Sequence, residues 1–343
     1  MTKERNYMRD GILGLVTGDA LGVPVQFRSR EEITERPEGP VTGMEGFGTY
    51  NMPPGTWSDD SSMALASLES ILRLGCVDPQ DIMDNFLRWE FEGEFTPFGY
   101  AFDEGNTCST AIWNYRNDRD WQTCGKTGDH ANGNGALMRI LPVCIWYTER
   151  QKTVCTSDDE AVEAVHNVTM LTHNHLRAKI ASGLYYFMVK SIIRAKEAES
   201  DTVQAPGHDD AANVSADSLT PLLQQGLDEG FAYYRRDFRN LAEMVRYNRL
   251  FDLDRFRTIP EKDIKGSGYV VDALEAAVWC LITTDSLKEA LLKAVNLGDD
   301  TDTTAAIAGG LAGLYYGCDA IPAEWIQALQ RKEWLEELVT AEA

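Results

Sequence analysis

The sequence predicts an all-α protein, a single compact multi-helix domain. Apolar residues recur at spacings of three and four along most segments, strand-like alternation is scarce, and recognisable helix starts precede several of the apolar stripes.

The spacing places helices at about 4–16, 60–74, 79–91, 106–118, 136–148, 158–170, 175–198, 218–235, 239–247, 268–282, 286–295, 302–316 and 323–339. Ile12, Leu15 and Val16 mark the stripe of the first, and Met63, Leu65, Ala66, Leu68, Ile71 and Leu72 that of the second. The third opens at Asp78-Pro79, a capping carboxylate before a first-turn proline. Ser157, with Glu160 three residues on, reads as a capping box for the helix at 158–170. The Asp-rich stretch 200–218, with Pro206, Gly207 and small residues, reads as a flexible surface insertion. It is not read as a domain boundary, because the helices after it carry residues that look designed to meet those before it. In the helix at 302–316, Ala305, Gly309 and Gly313 repeat on one face without bulk, as in a tightly packed central element. Ile321-Pro322 opens the last helix as Asp78-Pro79 opens the third.

A chain of 343 residues admits one large domain or two smaller ones, and the motifs favour one domain over 1–343. With 32 Lys and Arg against 54 Asp and Glu, the net charge of −22 disfavours nucleic acid and anionic membranes as partners and suits a metal cation. Met1 to Asp10 has neither the pattern of a signal peptide nor that of a transit peptide, and no apolar run approaches the ~20 residues of a membrane span. The seven cysteines form no CxxC and are odd in number, so reduced thiols in a cytoplasmic protein are expected.

Three acidic clusters stand out. In Gly18-Asp19-Ala20-Leu21-Gly22-Val23-Pro24 a helix ends in a Gly/Pro turn, and Asp19 alone reads as a hydrogen-bonder of that turn. Pro53-Pro54-Gly55-Thr56-Trp57-Ser58-Asp59-Asp60 delivers a hydroxyl and two carboxylates to a helix start, which suits either N-capping or the oxygen ligands preferred by Mg²⁺ and Mn²⁺. Asp299, Asp300 and Asp302 crowd three acids into four residues, more than capping needs, so a bound cation is the simplest reason for the surplus. On a continuous helix Asp300 and Asp302 would point about 200° apart. They converge only if Asp300 stays in the loop while Asp302 and Thr303 enter the first turn.

In order and spacing these segments, with Phe102-Asp103-Glu104-Gly105-Asn106, Gly133-Asn134-Gly135-Ala136-Leu137-Met138-Arg139 and Thr172-His173, resemble the ADP-ribosylglycohydrolase family from residue 11 to residue 317. The resemblance implies an all-α fold with a dimetal cleft. It implies two Mg²⁺ or Mn²⁺ ions held by Ser58, Asp59, Asp60, Asp300, Asp302 and Thr303, with ADP-ribose on an ADP-ribosylated protein as the substrate. It also implies ADP-ribose contacts from Gly133, Asn134, Gly135, Met138, His173 and Gln26. The Gly-Asn-Gly segment reads either as a diphosphate cradle ahead of a helix or as a plain turn. In the arginine-specific branch the acid matching Asp103 faces the guanidinium of the scissile bond. His173 and His175, two apart and without a cysteine partner, do not read as a zinc site.

Gln26 stands where many members of the family have glutamate. A neutral amide can position water but cannot take a proton. Asp60, Asp302 and Asp103 remain as acid–base candidates. The expected activity is metal-dependent removal of ADP-ribose from protein arginine. The alternatives are a non-catalytic ADP-ribose-binding relative, an O-linked ADP-ribose hydrolase, and an aspartyl-phosphate phosphatase reading of Asp300-Thr301-Asp302-Thr303-Thr304, which requires a preceding hydrophobic strand.

Overall fold

The computed structural model describes residues 5–154, 156–203 and 216–341. Its helices are α1 (Tyr7–Gly22), α2 (Arg30–Glu35), α3 (Asp59–Leu74), α4 (Pro79–Glu92), α5 (Asn106–Asp118), α6 (Leu141–Thr153), α7 (Asp158–Met170), α8 (Leu176–Val203), α9 (Ala216–Arg235), α10 (Leu241–Met244), α11 (Leu253–Arg257), α12 (Val270–Ile282), α13 (Leu287–Val295), α14 (Thr301–Tyr316), α15 (Ala323–Ala328) and α16 (Lys332–Thr340). Among the described residues the only β pairing is two isolated bridges, Lys126 with His173 and Gly133 with Tyr269. No helix among them is long and apolar enough to cross a membrane.

The core is organised around α1 and α14. Every residue of α1 except Arg9 is buried, as is all of α14 from Thr301 to Tyr315. Helices covered on all sides need small residues where they touch, because two backbones approach closely only when no side chain stands between them. Gly14, Gly18 and Gly22 form that column on α1. A Cβ on Gly18 would lie 2.1 Å from the Ala305 carbonyl oxygen, one on Gly14 2.2 Å from that of Gly309, and one on Gly22 2.3 Å from Asp302 Cα. Gly313 faces Asp10 in the same way, at 2.1 Å from its carbonyl oxygen. Helices α3, α6, α8, α12 and α13 pack around this pair.

This contact corrects the reading of Asp19. The helix expected to stop near residue 16 runs on through Gly18 to Gly22, because its glycines serve the contact with α14, so Asp19 sits in the last helical turn and not in the Val23–Pro24 turn after it. A Leu at position 18 would have to push apart two backbones, so Gly18→Leu is expected to destabilise by at least the ~1–3 kcal/mol typical of overpacking. Chemical denaturation checks this against Gly105→Ala, where nothing lies within 4 Å of the new Cβ.

Other departures have local causes. The helix expected from 136 begins only at Leu141: Met138 N–H bonds the Asn134 carbonyl at 3.1 Å, Arg139 Nε bonds that of Gly135 at 3.2 Å, and Pro142 fits the first helical turn. The span 239–247 is a single turn, α10, followed by a tighter 3₁₀ segment over Val245–Phe251. The last helix breaks between α15 and α16 at Arg331, whose φ is +49° and whose guanidinium donates to the Thr96 carbonyl. At that break Gln330 hydrogen-bonds Gly55 and Pro54, bracing the loop that leads to Ser58. Helix α2, whose capping box pairs Ser29 with Glu32, was not expected, since it has no apolar stripe beyond Ile33. Asp78 and the Ser157–Glu160 box cap their helices as expected. Of the predicted insertion, 204–215 lies outside the described residues; α8 runs on to Val203 and α9 begins at Ala216.

Candidate active site

Two helix starts meet at the end of the α1–α14 pair. Ser58 caps α3, its Oγ accepting from Asp60 N–H, so Asp59 and Asp60 are the first two helical residues. Asp300, with φ −92° and ψ 73°, precedes α14, while Asp302 and Thr303 stand in its first turn. The two starts are joined directly: Thr303 Oγ1 donates to Asp60 Oδ2 at 3.2 Å, and Ser58 Oγ donates to the same oxygen at 3.1 Å. Asp19, absent from the expected ligand set, ties α1 to α3 by accepting from Ser58 N–H at 3.0 Å, Ser61 N–H at 3.0 Å and Ser61 Oγ at 2.5 Å.

One carboxylate oxygen from each of Asp19, Asp60 and Asp302 lies within 4.8 Å of the others. Burial pushes the Asp59, Asp60 and Asp302 carboxyls well above the usual range, and the neighbouring carboxylates push them the same way. For Asp302 the neighbours responsible are Asp103, Asp60, Asp300 and Asp19. Among the described residues, Asp60 Oδ1 and Asp302 Oδ2 are buried with no hydrogen-bond partner. Buried acceptors with no donor and no cationic side chain supplying charge are costly unless a cation completes them. The donor set, carboxylates with two hydroxyls, is that of a hard divalent ion such as Mg²⁺ or Mn²⁺. Asp299 is different: it is exposed, has φ +62°, and pairs through its backbone with Arg28 and Phe27.

Above the acids opens a 240 Å³ cleft lined by Gln26, Asp59, Asp103, Gly133, Asn134, Gly135, Met138, His173, Asp300 and Thr303. Ser58, Asp60 and Asp302 are buried and are not part of its lining. The thirteen residues expected to hold metal, act as acid or base, or touch ADP-ribose thus all lie in the cleft or among the buried acids. Asn134 Nδ2 donates to Asp300 Oδ2 at 2.7 Å, while Asn134 N–H is taken by the Gly268 carbonyl at 3.0 Å. With α6 starting only at Leu141, the Gly-Asn-Gly segment is a turn and not the entry to a helix. Its glycines admit the His173 ring: a Cβ on Gly133 would lie 3.2 Å from His173 Nε2, and one on Gly135 3.0 Å from Cε1. His175 turns to other partners, accepting from Arg177 N–H and lying 3.8 Å from Asp129, so the two histidines do not converge.

Asp103 has φ +67°, a left-handed conformation that aspartate tolerates better than most residues. Tyr50 donates its hydroxyl to Asp103 Oδ1, a contact the sequence did not announce, since Tyr50 lies in a loop without a motif. Burial raises the Asp103 carboxyl, against the lowering effects of Tyr50, Asp302 and Gln26. Asp103 Oδ2 and Gln26 Oε1 are buried without a partner among the described residues. The phosphatase reading of Asp300–Thr304 fails on the fold: that segment follows α13 and a loop, with no strand before it.

Comparison with known proteins agrees with this architecture. A family model described as ADP-ribosylglycohydrolase matches residues 2–343. The "ADP-ribosylarginine hydrolase Tri1" of Serratia proteamaculans is 29% identical over 332 residues, covering 96% of this chain and 77% of that protein. The ADP-ribosyl-[dinitrogen reductase] glycohydrolase of Rhodospirillum rubrum is 29% identical over 93% of this chain and 89% of its own length. The human ADP-ribosylhydrolase ARH3 is 24% identical over 81% and 75%. A solved structure titled "ADP-ribosylglycohydrolase-related protein complex" superposes with a TM-score of 0.72 at 28% identity, covering 99% of this chain and 98% of that one. The chain belongs to the ADP-ribosylglycohydrolase family, whose members hydrolyse ADP-ribose linkages.

Proposed function

We propose that this protein cleaves the N-glycosidic bond between ADP-ribose and a protein arginine, using two Mg²⁺ or Mn²⁺ ions held by Ser58, Asp59, Asp60, Asp300, Asp302 and Thr303. When bound, such ions supply Lewis acidity and ligand positions for ribose hydroxyls and for the attacking water. Gly133, Gly135, Met138 and His173 bind the rest of ADP-ribose along the cleft, and Asn134 holds Asp300 in place. Water adds its oxygen to the anomeric carbon as the bond to the guanidine nitrogen breaks; the electron pair leaves with that nitrogen, which gains the proton the water gives up, so free guanidinium departs and Asp103 is placed to carry that proton.

The observation that carries the arginine assignment is Asp103. Its Oδ2 is an unpartnered buried acceptor in the same cleft as Asp59 and Asp300, and Tyr50 fixes the other oxygen. A guanidinium presents N–H donors that match such an acceptor, whereas a serine linkage leaves a single ether oxygen with none. Gln26, a neutral amide near Asp103, favours the ionised carboxylate where a glutamate would oppose it. The relative named for ADP-ribosylarginine supports the same reading.

The test is release of free ADP-ribose from a panel of arginine- and serine-linked mono-ADP-ribosyl peptides with Mg²⁺ or Mn²⁺. Preferred release from the arginine peptide is expected, and Asp103→Asn should lower its kcat/KM by about 100-fold, the scale of a lost acid–base or charge-orienting group. Preference for the serine peptide would refute the arginine assignment. No release from either peptide would refute catalysis.

A further inference from the structure

Arg139 is fully buried, yet no carboxylate forms an ion pair with it among the described residues. Nε donates to the Gly135 carbonyl at 3.2 Å, Nη1 and Nη2 reach the Val168 carbonyl at 3.4 and 3.3 Å, and Nη2 donates to Thr172 Oγ1 at 2.8 Å. The guanidinium carbon lies 4.7 Å from the centre of the Phe86 ring. Burying a cation without a counter-charge is expensive, so its retention calls for a use beyond packing.

The use follows from what Thr172 does next. Its Oγ1 lies 2.8 Å from His173 Nδ1. Guanidinium is only a donor, so the Thr172 oxygen accepts from Arg139 and its single hydroxyl hydrogen remains to be given. Cys108, the other polar group at this junction, donates its own hydrogen to the Gly135 carbonyl at 3.7 Å and offers the Thr172 hydroxyl only a sulfur, a weaker acceptor than an imidazole nitrogen. Placing a proton on Nδ1 instead would bring it toward the guanidinium charge in a poorly screened interior. Burial first, then Arg139 and Lys126, hold the His173 ring well below its ordinary value, at about 3, so the ring is neutral.

We propose that Arg139, acting through Thr172, fixes His173 as the tautomer bare at Nδ1 and protonated at Nε2, giving the cleft a permanent neutral N–H donor. Nε2 faces the glycine turn, where a Cβ on Gly133 would come within 3.2 Å of it. The donor's partner is an oxygen of ADP-ribose, and this half of the inference rests on the function proposed above. Arg139 and Thr172 are positioning residues: neither needs to touch the substrate.

Long-range ¹H–¹⁵N correlation spectra of the full-length protein read the tautomer directly, with His173 assigned among five histidines by its loss in His173→Gln. The expected pattern is a pyridine-type Nδ1 and a protonated Nε2. Thr172→Val, which keeps the shape but removes the relay, should give a mixed or inverted pattern and about tenfold weaker ADP-ribose binding by calorimetry. Thr172→Ser should restore both, and Arg139→Met should repeat the valine result if it folds. A protonated Nδ1 in the parent protein, or an unchanged pattern in Thr172→Val, would overturn the relay. The expected pattern in a protein that does not bind ADP-ribose would refute the reading of the cleft and leave the relay standing.

Discussion

Asp60→Asn is expected to abolish metal-dependent ADP-ribose release, by at least about 100-fold, while making the metal-free protein harder to unfold. The loss of activity follows from the position of Asp60, whose Oδ2 gathers Ser58 and Thr303 while Oδ1 is left bare. Several kcal/mol of charge stabilisation at the reacting centre correspond to a factor of that size or more. The gain in stability has the same origin. The carboxyl is pushed up by burial and then by Asp19, Asp300 and Asp103, so in the absence of a cation its ionised form opposes folding. An amide of the same shape removes that charge and keeps the oxygen that accepts from Ser58 and Thr303. Steady-state assays paired with thermal melts in EDTA check both halves. A variant that keeps its activity, or melts below the parent without metal, would contradict this account of the acids.

The second large effect is the response of the parent protein to divalent ions and pH. Asp19 is pushed up to about 7 by burial, against the hydrogen bonds from Ser61 and Ser58, and Asp59, Asp60 and Asp302 are raised in the same direction. An acid whose folded value lies above its unfolded one holds its proton more tightly when folded. Its contribution to stability is therefore complete below about pH 4 and is lost as the pH rises through the folded value. For Asp19 that window is pH 4 to 7, and for the others it extends upward from the same lower edge. Metal-free protein should thus melt at falling temperatures from pH 5 to pH 8, with a slope that flattens in Asp302→Asn. At pH 8, Mn²⁺ or Mg²⁺ at a hundred times its dissociation constant should stabilise by about 2.7 kcal/mol, or about 4 °C for a chain of this length. At pH 5 the gain shrinks, because the ligands must first give up protons. Equal melting curves with and without metal at pH 8 would remove the case for a cation at these acids.

Much of the candidate site was legible because its chemistry is local in sequence. Ser58, Asp59 and Asp60 are neighbours, as are Asp300, Asp302 and Thr303, and the requirement that a helix begin between Asp300 and Asp302 follows from helical geometry alone. The small face of α14 was legible too, since Ala305, Gly309 and Gly313 recur at helical spacing. What escaped depends on partners distant in the chain. Glycines at 18 and 22 look like a helix end until α14 is laid against them, and Asp19 then changes from a turn residue to the anchor of α3. Tyr50 has no signature, because its role exists only once its loop meets Asp103. The start of α6 was misplaced for a related reason: residues 134–139 are apolar enough to be helical, but Arg139 and Asn134 are drawn into bonds with Thr172, Val168, Gly268 and Asp300.

The pairing of α1 with α14 also sets a timetable for biosynthesis. Thr301 Oγ1 bonds the Gly22 carbonyl across 279 positions of the chain. At ribosomal speeds of about 5–20 residues per second, α1 emerges roughly 15–60 s before the helix that covers its glycine column. Throughout that interval the glycine column has no native partner, although α3 and α6 can already reach other faces of α1, and the two halves of the acid cluster cannot meet. The nascent chain therefore depends on interim shelter, from its own collapsing middle helices or from a chaperone, until its last quarter is made.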